Sequence, residues 1–147
     1  MSTVFRPEDR AVLLRRLDAL SPHDAPRWGR MNAPQMVTHV AEQMRMALGE
    51  LPVALKKTPV RHFPVKQLLV YWLPWPKGLP TSRELLARVP AGWDGDRADA
   101  RALLERCGAR GRAGPWALHP AFGTLSGRAW GVLIYRHTDH HLRQFGR

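Results

Sequence analysis

The sequence predicts an all-α protein, a single domain over residues 1–147 built as a four-helix bundle. Three observations carry this expectation. Apolar residues recur at helical spacing in four segments, with no segment alternating at the period of two that marks a half-buried strand. Helix-starting residues open three of the four, at Pro7, at Asn32 with Pro34, and at Ser126. Seven of the thirteen prolines fall between Pro52 and Pro90, so irregular backbone is concentrated in one excursion between the second and third helices. A chain of 147 residues can bury about two-thirds of its unfolded surface, and a hydrophobic fraction of 44% excludes wholesale disorder.

The first helix starts near Pro7, with Glu8 and Asp9 favourably placed beside its N-terminus. Val12, Leu13, Leu14, Leu17 and Leu20 form its apolar stripe, and Ser21-Pro22 stops it. A polar linker holding His23, Asp24, Pro26 and Trp28 leads to the second helix. That helix has Asn32 as N-cap and runs through Met36, Val40, Met44 and Ala47 to Gly49, a natural C-terminal stop. The excursion carries Tyr71, Trp72 and Trp75 among its prolines, so only short helical turns fit, one over Val65 to Trp72 and another over Ser82 to Ala87. The third helix spans Asp96 to Arg110, with Ala100, Leu103, Leu104 and Cys107 on its apolar side and Gly108 or Gly111 ending it. The fourth follows Ser126 and ends at about Phe145.

Three of seven histidines lie in His137-Thr138-Asp139-His140-His141 on that last helix. At about 100° per residue from Trp130, His137 falls near −20° and His141 near +20°, in the centre of the apolar stripe that Ile134 continues near +40°. His140 falls near −80°, on the flank, and Asp139 near 180°, toward water. Two imidazoles four residues apart on one core-facing stripe form half of a metal site, because burying both otherwise requires hydrogen bonds for four ring nitrogens. On the second helix, zeroed at Met36, His39 falls near −60°, at the edge of the buried face, and packed helices can bring it to the same ion. Glu42, near −120°, is a weaker candidate for a fourth ligand or for a hydrogen-bond partner of His39. His119 lies in the loop before the last helix, where it either lines a site as donor or acid/base group or fixes the loop by a hydrogen bond.

The formal net charge of +11 invites a nucleic-acid reading, but 19 of the 23 basic residues are arginines scattered from Arg6 to Arg147, with no run of five. Attraction of a small anionic substrate accounts for it better, and neither a nucleic-acid nor a membrane partner is expected. Residues 1–20 have no apolar segment of a secretory signal, and the longest apolar run, Leu68 to Trp75, is too short to span a bilayer. The single cysteine, Cys107, excludes an intramolecular disulfide and reads as a structural thiol. The expected location is the cytoplasm.

Leu125-Ser126, Trp130-Gly131, Tyr135, His137 and the run His140-His141-Leu142-Arg143-Gln144-Phe145-Gly146 resemble the closing motif of a DinB-related family of unknown function. Arg27-Trp28-Gly29 through His39, the turn Trp75-Pro76-Lys77-Gly78, and His119-Pro120-Ala121-Phe122-Gly123 resemble earlier stations of the same pattern, in order along most of the chain. The resemblance implies a DinB/YfiT-like four-helix bundle with a three-histidine metal site, whose ligands here are His39, His137 and His141. It also implies a homodimer. Three neutral histidines leave coordination positions open on a zinc, nickel or iron ion, and open positions suit catalysis. The functional expectation is therefore a divalent-metal enzyme, a thiol transferase, isomerase or hydrolase, that activates a low-molecular-weight thiol or water against a small electrophile. His119 and His140 are its candidate catalytic residues. The alternatives are a non-catalytic metal-binding scaffold and, behind it, a basic nucleic-acid-binding protein.

Overall fold

The computed structural model describes residues 1–75, 77 and 81–147, and among these it is helical with no strand. The helices are α1 (Pro7–Asp18), α2 (Ala33–Leu48), α3 (Val65–Gln67), α4 (Trp93–Arg110) and α5 (Gly127–Gln144). The all-α expectation thus holds. Both α1 and α2 pack against α4 and α5, so the four long helices share one core. Leu13, Met36, Met44, Leu103, Leu104, Trp130, Leu133 and Ile134 fill it.

Local chemistry sets the helix ends. Asn32 forms a full capping box: its side chain accepts from the Gln35 N–H (2.9 Å) while Gln35 Oε1 accepts from the Asn32 N–H (3.0 Å). Gly49 closes α2 in the left-handed conformation (φ 84°), which only glycine enters cheaply. Ser126 caps α5 through the Ala129 N–H (3.2 Å). Gly131 serves close approach. The N-terminal segment runs across α5, with the Val4 N–H donating to the Gly131 carbonyl (3.2 Å), and a Cβ at 131 would collide with Phe5 and Thr3.

Two boundaries depart from the sequence expectation. The α1 helix ends at Asp18, with Ala19 as its C-cap, two residues before Leu20. The α4 helix begins at Trp93, three residues before Asp96, because the Asp96 carboxylate reaches back to accept from the Ala91 (2.9 Å) and Gly92 (3.1 Å) N–H groups. The expected helical turns both form, in altered geometry. Val65–Gln67 continues into a π-helical turn over Leu68–Trp72, and a 3₁₀ turn covers Arg83–Leu86. Pro76 and Gly78, part of the Trp75–Gly78 turn singled out in the sequence, lie outside the described residues.

A partly buried ionic network ties the excursion to the helices. Arg88 donates to Asp96 Oδ1 (2.7 Å), Asp99 Oδ2 (2.9 Å) and Glu42 Oε1 (3.3 Å), while Arg45 bridges Glu42 (2.9 Å) and Asp99 (2.6 Å). Burial works against the Asp99 charge, but hydrogen bonds from Arg45 and Arg88 outweigh it and hold the carboxyl below its ordinary range. Arg88→Met leaves the buried Asp96 carboxylate without its cation and Glu42 with Arg45 alone, so it is expected to cost about 2–4 kcal/mol in urea unfolding.

Candidate metal centre

Helix α2 supplies His39 and α5 supplies His137 and His141, the three residues the sequence nominated. One ring nitrogen from each lies within 4.8 Å of the others. Ring centroids are 5.0 Å apart for His39 and His137, 4.8 Å for His39 and His141, and 4.6 Å for His137 and His141. His39 is fully buried, deeper than the edge position its helical phase suggested, because the 3₁₀ turn of the excursion closes over it. His141 is buried as well, and His137 keeps partial exposure.

Hydrogen bonding fixes two of the three tautomers. His39 Nδ1 faces the Leu85 carbonyl at 3.2 Å. A carbonyl only accepts, so Nδ1 carries the proton and Nε2 presents its lone pair inward. His141 Nδ1 faces Gln144 Oε1 at 2.9 Å, and the amide orientation follows from Gln144 Nε2 donating to the Trp28 carbonyl (2.5 Å). His141 Nε2 is therefore also an inward lone pair. Metal-binding imidazoles are oriented in just this way, with the second ring nitrogen donating to a carbonyl or amide oxygen. For that reason Gln144→Leu is expected to weaken metal binding about 10–100-fold in titration calorimetry while the fold persists.

His137 Nε2 stands 3.2 Å from His39 Nε2. Two nitrogens bound to one tetrahedral ion at 2.0–2.1 Å are separated by about 3.3 Å. His137 Nδ1 is buried without a hydrogen-bond partner. Imidazole lone pairs that converge in a core need a proton or a cation between them, and a shared cation would organise all of the inward ones. The donor set fits a divalent ion.

Burial is the main force on the protonation states. It lowers the His39 pKa, with the Leu85 carbonyl opposing, and drives His141 down to about 3, reinforced by the neighbouring His39. Burial, then the charges that His141 and His39 would carry, keep His137 well below the ordinary imidazole value. All three rings are neutral at pH 7, the form that binds metal.

The remaining candidates divide. His140 is half-buried beside the cluster, its ring 5.3 Å from His141, 5.9 Å from Trp28 and 6.2 Å from Trp75. His119 Nδ1 accepts from the Ala121 (3.1 Å) and Phe122 (3.2 Å) N–H groups, which fixes its loop. Its ring packs 5.4 Å from Trp130, and burial lowers its pKa to about 4. Glu42 neither joins the cluster nor bonds His39. Arg45 and Arg88 occupy its carboxylate, and Leu85 takes the role considered for it. Cys107 is buried in the core, its thiol pushed up to about 12 by burial, as a structural cysteine should be.

Sequence reasoning missed Leu85, Arg88 and Gln144. Gln144 had a readable signal, since it stands three residues after His141 on one helix face. The Leu85 contact is made by a backbone carbonyl and carries no side-chain signature. Comparisons with models of known protein families, with curated proteins and with solved structures gave no match.

Proposed function

We propose that this chain is a divalent-metal enzyme of the DinB-like four-helix-bundle kind, which activates a low-molecular-weight thiol or water against a small electrophile. One observation carries the reading: three inward-facing imidazoles from two helices, two of them locked in the ligating tautomer by outer hydrogen bonds. A zinc, nickel or iron ion held there would lower the pKa of a thiol or water toward neutrality and so supply a nucleophile. The protein residues do the rest. Leu85 and Gln144 hold two ligand rings in register, and the buried surroundings keep the three rings unprotonated at neutral pH.

The surroundings of His137 and His140 favour an anionic substrate. Trp75 packs 5.9 Å from His137, and Trp28 and Trp75 both contact His140. The Lys77 ammonium lies 4.5 Å over the Trp28 ring. Incubation of zinc-, nickel- and iron-loaded protein with thiol–electrophile pairs and with ester and amide substrates tests the reading. Metal-dependent turnover that the His137→Ala variant loses is expected. Stoichiometric metal with no turnover across the panel would favour the scaffold alternative instead.

A further inference from the structure

The excursion between α2 and α4 carries exposed apolar side chains with no cover among the described residues. Phe63 is 80% exposed and Trp72 72% exposed, and Val65, Leu68 and Leu73 are exposed beside them in sequence. Val65, Leu68 and Trp72 recur at spacings of three and four along α3 and its π-helical continuation, whereas Val70 points into the core. The segment is held firmly. Arg136 donates to the carbonyls of Leu69 (3.0 Å), Val70 (2.7 Å) and Leu73, and Trp75 Nε1 donates to the Leu69 carbonyl (3.0 Å). An apolar stripe fixed in place yet facing solvent marks an interaction surface.

Charge identifies the partner. From Leu51 to Arg83 the sequence has no aspartate or glutamate, and it carries six cations there, including all four lysines of the chain. Lys56, Lys57, Lys77 and Arg83 are exposed. The carboxylate that bounds the segment, Glu84, accepts from the Ala54 N–H (3.3 Å) and feels the charge of Lys56. Against the sequence expectation of no membrane partner, we propose that this face docks on an anionic lipid surface, with Phe63, Leu68 and Trp72 entering the interfacial region and the exposed Lys56 and Lys57 meeting lipid phosphates. A symmetric contact between two copies would set the same cations against one another, so a second copy fits the charge poorly. No helix among the described residues is long and apolar enough to cross a membrane, and peripheral docking needs none.

Co-sedimentation of the full chain with lipid vesicles tests the proposal. Binding to phosphatidylcholine vesicles containing about one-third phosphatidylglycerol is expected, at least about tenfold tighter than to phosphatidylcholine alone, and weakening as salt rises. The pair Phe63→Ser with Trp72→Ser, and separately the pair Lys56→Glu with Lys57→Glu, should each reduce binding at least about tenfold. These side chains are exposed, so thermal melting should confirm an intact fold in both variants. The proposal is overturned by absence of vesicle binding at low salt, by equal binding to neutral vesicles, or by full binding of either variant. A dimer that the Phe63/Trp72 substitutions dissolve, with no vesicle binding, would likewise overturn it and assign the surface to a second copy.

Discussion

His137→Ala is expected to weaken divalent-metal binding by at least about a hundredfold, because it removes one of three ligands rather than one of their outer hydrogen bonds. Stability should report the same loss. Metal at 1,000 times its Kd stabilises a folded protein by about 4 kcal/mol, which for a chain of this size raises Tm by roughly 8–16 °C. Wild-type protein stripped by chelator and then reloaded should show that rise; His137→Ala should not. In the metal-free state the substitution should cost far less than deletion of an ordinary core residue. It removes a ring whose buried Nδ1 has no partner and whose Nε2 makes a single side-chain hydrogen bond, to His39 at 3.2 Å. A variant as metal-stabilised as the wild type would show that the ion binds elsewhere.

The metal-free protein is expected to lose stability steeply as pH falls from 6.5 toward 4. Burial depresses the pKa of His39, His137, His119 (about 4) and His141 (about 3) below the ordinary imidazole value. Above pH 6.5 these groups are neutral whether folded or unfolded and contribute no pH dependence. Below it the unfolded chain takes up protons that the folded chain refuses, so unfolding is favoured until pH reaches the folded pKa values. His119 and His141, whose folded values lie near 4 and 3, each cost about 1.4 kcal/mol per pH unit in that window, so together they remove about 4 kcal/mol by about pH 5, and His39 and His137 act in the same direction. Urea unfolding at pH 7, 6 and 5 measures the slope. A flat profile over that range would mean that these rings are not buried neutral.

Much of the helical frame was legible because its signals are local. Asn32 with Pro34, and Ser126, start α2 and α5 where their side-chain chemistry dictates, and Gly49 stops α2. Helical phase alone put His137 and His141 on one inward face. Tertiary features were hidden. The α4 start moved because Asp96 caps the preceding loop instead of opening the helix, a choice made together with Arg88 across the network. Glu42 read as a site residue because helical phase cannot show that Arg88, from the excursion, joins its own-helix neighbour Arg45 on its carboxylate. Likewise the excursion gave its composition to the sequence reading, but only folding shows that its Val70 turns inward and its Trp72 outward.

The central claim is that His39, His137 and His141 hold one divalent ion. Elemental analysis combined with X-ray absorption on the chain purified without a histidine tag tests it most directly. One ion per chain is expected, with imidazole nitrogens at about 2.0–2.1 Å if the ion is zinc. Protein that takes up no ion from excess zinc, nickel or iron, or a His39→Ala/His137→Ala/His141→Ala variant that still holds one, would contradict it.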